Sequence, residues 1–356
     1  MTIVERRELR PGYEISRLLK GGWQLAGDHG SVDRDRAIDD MIAFYDAGIT
    51  TFDCADIYAG VEEMIGEFRS RLANARGAAA LDRLIVHTKL VPDFEKLGKI
   101  DFDYVEAGID RSLKRLGMDR LDMVQTYWWD YSVPGAIDVL RHLGKLQQAG
   151  KIRHIGLTNY SLKQMQELES AGVSFLATLV QYSLIDQRPN GAFADWCRER
   201  DMAILCYGAL AGGFITDAWL GMPDPGYQFE NRSLIKYRLI IDEFGGWELF
   251  QELLATLSAI SLKHGCALSA VAMRANLDLP DVTGITFGAR YAARIPQTMQ
   301  VFELKLDETD RAAIDAILSQ RQGPSGDVYD LESDKAGKHG RIMKYNLNQG
   351  KNRLGT

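Results

Sequence analysis

Eight short apolar runs rich in β-branched residues alternate along this chain with longer segments of helical period. The runs cover residues 17–25, 50–55, 84–90, 121–127, 154–159, 178–184, 203–210 and 282–287. Helical patterns between them include 34–47, 61–75, 102–116, 135–149, 162–171 and 249–264; in the last, Leu249, Leu253, Leu257 and Ile260 recur at steps of three and four. Gly48, Gly117, Gly150, Gly172 and Gly265 each follow such a segment, where a helix C-terminus calls for a left-handed residue. Strands joined by helices pair in parallel and are covered on both faces, which is why they read as nearly unbroken apolar runs. Eight is the number that closes a (β/α)8 TIM barrel. An open doubly wound sheet would carry GxGxxG after its first strand, and the chain has no such string.

The barrel is expected over residues 1–320 as one domain, with a C-terminal tail over 321–356. A long Gly- and aromatic-rich loop, 211–246, follows the seventh strand, as lids and binding loops do. The tail is polar but keeps Val328, Tyr329, Leu331, Ile342, Met343, Tyr345 and Leu347. It reads either as a flexible end or as a strap packing over the barrel mouth. With 46% apolar and 26% charged residues in 356, the chain can bury a large core, which excludes wholesale disorder. A net charge of −7 argues against a nucleic-acid partner. Residues 1–22 lack the apolar core of a secretory signal, and no run of about 18 apolar residues occurs, so no membrane partner is expected. Cys54, Cys197, Cys206 and Cys266 form no CxxC pair and read as buried thiols of a cytoplasmic protein. No metal is assigned.

In a barrel of this kind the chemistry sits where the strands end. The second run closes on Phe52-Asp53-Cys54-Ala55-Asp56-Ile57-Tyr58, with Glu62 and Glu63 behind it, and the third on His87-Thr88-Lys89. A free phenol titrates near pH 10 (roughly), too high to shuttle protons readily at neutrality. A buried ammonium beside it lowers that value, and a carboxylate keeps the ammonium charged and oriented. Asp53, Tyr58 and Lys89 together suit acid–base work on a carbonyl or alcohol. Strand-end Asp–Lys pairs are also made for structure alone, so the trio leaves both readings open.

The string 52–58, with Glu62, Glu63 and Gly66 after it, resembles the aldo/keto reductase family. Further matches follow in order: Leu121-Asp122-Met123-Val124-Gln125, then the stretch from Gly150 to Tyr160, Gln181-Tyr182-Ser183-Leu184, Tyr207-Gly208-Ala209-Leu210-Ala211-Gly212-Gly213, and Gly288-Ala289-Arg290. The resemblance spans roughly residues 15–318. It implies an NAD(P)(H)-dependent oxidoreductase that interconverts a small-molecule carbonyl and an alcohol by hydride transfer. Tyr58 would be the proton donor or acceptor, Lys89 would lower its pKa, and Asp53 would hold Lys89. Asn159 and Gln181, helped by Thr158, would bind the nicotinamide carboxamide, and Tyr207 would stack on the ring. Gly208, Leu210 and Gly288 complete the cofactor set. Plainer roles stand beside these: Asn159 as a cap for the helix after Ser161, Gln181 satisfying buried backbone, Tyr207 as packing.

The chain departs from the family at two places. The histidine that usually ends the fourth strand is replaced by Tyr127, followed by Trp128, Trp129 and Asp130. A tyrosine still donates a hydrogen bond but does not titrate near neutrality. Redox chemistry with an altered pH profile or substrate is the leading expectation. The alternatives are a nucleotide-binding regulatory protein and a lyase or dehydratase. A glycosidase using Asp53 and Glu62 would leave Lys89, Asn159 and Gln181 unexplained. After the eighth strand, Arg290 and Arg294 suit a 2′-phosphate, while Gln297-Thr298 stands where Glu-Asn is common; NADP(H) is favoured over NAD(H). Trp23, Trp128 and Trp129 are read as substrate-pocket walls, with Asp28 and Asp130 placed to bond hydroxyls; His29 is nearby, though a loop histidine is more often solvated than functional.

Overall fold

The structure is a computed structural model and describes residues 2–26 and 30–348; Asp28 and His29 lie outside the described residues. A hairpin, β1 (Arg6–Arg10) and β2 (Tyr13–Ser16), opens the chain. Eight strands follow: β3 (Leu18–Gly21), β4 (Thr51–Asp53), β5 (Ile85–Leu90), β6 (Leu121–Tyr127), β7 (Ile152–Thr158), β8 (Ala177–Gln181), β9 (Ala203–Tyr207) and β10 (Val282–Phe287). They pair in parallel and close as β10-β3-β4-β5-β6-β7-β8-β9, a (β/α)8 barrel. All eight expected runs are strands. Several stop short of the expected end: the ladder of the first run finishes at Gly21, and Trp23–Leu25 is a 3₁₀ turn. There the chain peels away from its neighbours to build the mouth.

The five glycines expected to end helices have φ between 61° and 95°. Gly66 serves another need. A Cβ there would lie 2.1 Å from Arg115 O, so its absence lets the helix Val61–Arg76 touch the end of Phe102–Leu116.

The hairpin was not expected, and it decides which end of the barrel is open. Tyr13 is fully buried, and Leu9, Tyr13 and Ile15 pack with Leu19, Ile85, Met123, Leu179 and Leu205. Tyr13 Oη meets His87 Nε2 at 2.9 Å. Burial, with Lys89 above, pushes His87 down to about 3, so it is neutral. Inward-facing residues alternate along each strand, so Ile85, His87 and Lys89 climb from this plug to the opposite end.

The loop expected over 211–246 is only partly irregular. It makes two 3₁₀ turns, Ala211–Gly213 and Asp217–Trp219, and then a helix, Arg232–Phe244. Asn231 caps that helix by accepting from Ser233 N–H at 2.7 Å, and Ile240, Ile241 and Phe244 bury its inner face. Cys54, Cys197 and Cys206 are buried as expected; Cys266 is only half-buried, and all four thiols are free. Among the described residues no single helix is long and apolar enough to cross a membrane.

The stretch beyond residue 321 returns across the open end. Gln322 N–H bonds Phe244 O, and Asp327 Oδ2 accepts from Leu162 N–H at 2.8 Å. Lys335 pairs with Asp130 at 2.6 Å, and Asn348 reaches Asp93 and Val91. Val328 and Tyr329 are buried.

Candidate active site

A cavity of about 660 Å³ occupies the mouth, within the range of small-molecule sites. Its floor is made by the last inward-facing residues of the strands. Lys89 Nζ lies 2.6 Å from Asp53 Oδ2 and 2.8 Å from Cys54 O, both side chains about 95% buried (5% and 4% exposed). The contact is that of a carboxylate on an ammonium. The carboxylate holds Lys89 above its usual range against burial, while burial pushes Asp53 up and Lys89 pulls it back. Lys89 Nζ is 5.3 Å from the centre of the Tyr58 ring. Asp53, Tyr58, Lys89 and Tyr127 all line the cavity.

The sequence led us to expect a net lowering of the Tyr58 phenol. The balance runs the other way: burial pushes it up, and the pull of Lys89, the next largest influence, does not cancel that. The phenol therefore keeps its proton through neutral pH. The ammonium's service is to make its loss less costly.

Thr158, Asn159 and Tyr207 form one wall. Asn159 is in the left-handed region at φ 59°, which asparagine tolerates, and its N–H bonds Leu179 O. It does not cap the following helix. Ser161 does, in a capping box with Gln164, so the plainer role for Asn159 falls. Tyr207 Oη donates to Asn159 Oδ1 at 2.9 Å, which leaves the Asn159 amide NH₂ as its donor face. Gln181, expected to bind the carboxamide, does not line the cavity; it sits beside Tyr207 in the ladder, off the wall. Its Nε2 donates to Asp186 Oδ2 at 2.7 Å, and its buried Oε1 has no hydrogen-bond partner. From here a trough runs past Gly208 and Leu210 to Gly288, Arg294, Gln297 and Thr298, beside the N-terminus of the helix Ile295–Glu303.

Besides Gln181, three expected site residues need correction. Trp128 is on the opposite parity from Tyr127 and turns outward; it is buried in the core, with its Nε1 donating to Val133 O at 3.0 Å. Arg290 is not on the cavity wall; its guanidinium lies 6.0 Å from the centre of the Tyr291 ring. Asp130 holds the tail through Lys335 rather than facing the cavity. Trp23 and Trp129 do line it, Trp23 tilted on Tyr58 at 5.0 Å and Trp129 fixed by Nε1 to Pro92 O at 2.7 Å. Glu62 is off the cavity, taken by Thr88 at 2.7 Å and Arg115 at 3.2 Å, so it cannot be the second carboxylate of a glycosidase.

The structure adds residues that the motifs did not reach. Tyr329 and Glu332 bring the tail to the cavity, and Lys236 lies over the Tyr207 and Tyr237 rings at 4.7 and 4.5 Å. Burial brings Lys236 down to about 8. Glu332 makes a two-pronged pair with Arg188 at 3.0 and 3.1 Å, and Arg188 in turn holds Asp186. The only sequence signal for these was the presence of aromatic and apolar residues in an otherwise polar tail.

Comparisons with known proteins bear on the family and the fold. The aldo/keto reductase family model matches residues 17–319. The aldo-keto reductase YhdN of Bacillus subtilis is 26% identical over 318 residues, covering 86% of this chain and 91% of its own. The NADH-specific methylglyoxal reductase of Escherichia coli is 23% identical, covering 83% and 92%. Among solved structures, the glycerol dehydrogenase AKR11B4 from Gluconobacter oxydans superposes with a TM-score of 0.72 at 24% identity, covering 91% of this chain and 98% of that one, a likeness of fold. Together with the closed barrel and the Asp53–Lys89–Tyr58 floor, the match over most of its length makes this chain a member of the aldo/keto reductase family.

Proposed function

We propose that the protein is an NADP(H)-dependent oxidoreductase that interconverts a carbonyl and an alcohol, with Tyr58 giving or taking the proton. The family implies nicotinamide-dependent carbonyl reduction; the residue roles and the cofactor preference are our reading. The observation that carries it is the polarity of the two amides. Asn159 presents its NH₂ on the cavity wall, a donor for a carboxamide's oxygen, and the nearby Gln181 Oε1, buried off the wall, is an acceptor left without a partner that a carboxamide's NH₂ would satisfy. The cofactor, when bound, supplies the hydride.

The chain's own residues do the rest. Tyr207 offers a ring face at the wall, and Asn159, Thr158 and Gln181 fix the carboxamide end. Tyr58, protonated at neutral pH, donates to the oxygen that gains negative charge. Lys89 stabilises the phenolate left behind, and Asp53 keeps Lys89 charged and in place. The upward push on Tyr58 weighs against a lyase, which would need the phenolate as a resting base. Arg294, at the far end of the trough, supports NADP(H), since a guanidinium matches a 2′-phosphate. The relatives do not decide this: one is named NADH-specific and another, the yakc reductase of Schizosaccharomyces pombe, is named for NADP(+).

The test is consumption of NADPH or NADH at 340 nm across a panel of aldehydes and ketones. Turnover with a higher kcat/KM for NADPH is expected. Dinucleotide binding with no turnover in either direction would replace this reading with the regulatory one.

A further inference from the structure

Tyr127 ends β6 on the cavity floor, at the position where the resemblance places a histidine. Its hydroxyl is hydrogen-bonded to that of Tyr329, which comes from the tail some two hundred residues later. The rings meet edge to face, 5.5 Å apart at 82°, and Trp129 packs on the other side of Tyr127 at 4.5 Å. Both phenols line the cavity that holds Tyr58 and Lys89.

Tyr329 is not there by default. Its φ is +70°, a conformation that a bulky residue keeps only where its surroundings hold it there. Neighbouring contacts hold it. Two residues before it, Asp327 takes the Leu162 N–H; three residues after it, Glu332 grips the buried Arg188. Arg188 also holds Asp186, which holds Gln181, so the segment carrying Tyr329 is tied to the amide we assign to the carboxamide.

The hydrogen count gives the pair a function. Two phenols carry two O–H hydrogens, and their mutual bond uses one. Tyr127 donates to the Tyr329 oxygen, so the O–H left over belongs to Tyr329, polarised by the bond behind it. We propose that Tyr127 is a positioning residue for the Tyr329 hydroxyl, and that the two phenols together supply a hydrogen bond to the substrate oxygen at the place where the resemblance puts a histidine. The proposal rests on the carbonyl-reduction reading of the site.

The experiment is a double-mutant cycle with Tyr127→Phe, Tyr329→Phe and the double variant, assayed on the best carbonyl of the panel, with dinucleotide affinity measured separately by fluorescence titration. Each single change is expected to lower kcat roughly 100- to 1,000-fold, as loss of one donor to a developing oxyanion does. The double variant is expected within about 3-fold of the worse single, because both changes break one unit. The dinucleotide Kd is expected to stay within about 2-fold, since neither phenol is assigned to it and additive errors at uncoupled sites are small. Full kcat in Tyr329→Phe, losses that multiply in the double variant, or a loss of dinucleotide affinity matching the loss of rate would overturn the proposal. Failure of the functional reading looks different: no carbonyl is turned over by the parent, or Tyr58→Phe keeps the parent rate.

Discussion

Replacing Lys89 with methionine separates the two services that its ammonium performs. The side chain is about 95% buried (5% exposed), 2.6 Å from Asp53, and Asp53 Oδ1 already lacks a hydrogen-bond partner. Without the ammonium Asp53 is a buried charge with nothing to answer it. Breaking a buried pair from one side costs about 3–5 kcal/mol when the charge stays. Asp53 escapes part of that by taking a proton. Its folded pKa then rises further above the unfolded value near 3.9 (roughly), so the penalty is small at low pH and grows by about 1.4 kcal/mol per pH unit until that folded pKa is passed. Urea unfolding followed by tryptophan fluorescence is expected to show a loss of about 1–2 kcal/mol at pH 5 and about 3–5 kcal/mol at pH 8. Adding Asp53→Asn removes the charge and is expected to restore most of the stability and none of the activity. The rate falls because Tyr58 loses its phenolate partner, by roughly 100- to 10,000-fold for a general acid. A Lys89→Met protein as stable as the parent at pH 8, or a double variant with restored kcat, would refute the reasoning.

Two further outcomes follow from the same geometry. Arg294→Met is expected to raise KM for NADPH about tenfold or more while leaving NADH within about 2-fold, because a charge-assisted guanidinium–phosphate contact is worth about 1.5–3 kcal/mol; equal effects on both cofactors would remove Arg294 from the phosphate. Lys20, buried against Phe44 and off the cavity wall, is pushed from the ordinary 10.5 down to about 7 by burial, with Asp40 opposing. A lowered lysine costs stability in full below pH 7 (roughly), and the cost fades as pH rises toward its unfolded value. Lys20→Met is therefore expected to stabilise the protein at pH 6 by at most about 5 kcal/mol, less what its bond to Gly21 O contributed, with the advantage shrinking by pH 9; thermal unfolding at the two pH values checks both sign and trend.

The barrel was legible because parallel strands buried on both faces leave short β-branched runs, and eight of them alternate with segments of helical period. Their mouth ends were not, since Trp23 and Leu210 leave the ladder to follow contacts made far along the chain. The hairpin that plugs the barrel had a signal, Pro11-Gly12 between alternating polar and apolar residues, that a turn-based reading would have found. Trp128 was misplaced although parity alone excludes it: Tyr127 and Trp129 share one face, and Trp128 takes the other. The floor residues could be named because their spacing follows strand ends. Tyr329 and Glu332 could not, because an inward-facing carboxylate in a charged tail is indistinguishable from a solvated one until Arg188 is seen opposite it.

The most direct test of the account is Tyr58→Phe, in which one hydroxyl is removed from the floor and the dinucleotide trough is left intact. Titrated with NADPH and assayed on the same carbonyl as the parent, it is expected to bind the dinucleotide with unchanged affinity and to reduce the substrate at least about 100-fold more slowly. A variant that turns over as fast as the parent, or a parent that binds no dinucleotide, would contradict it.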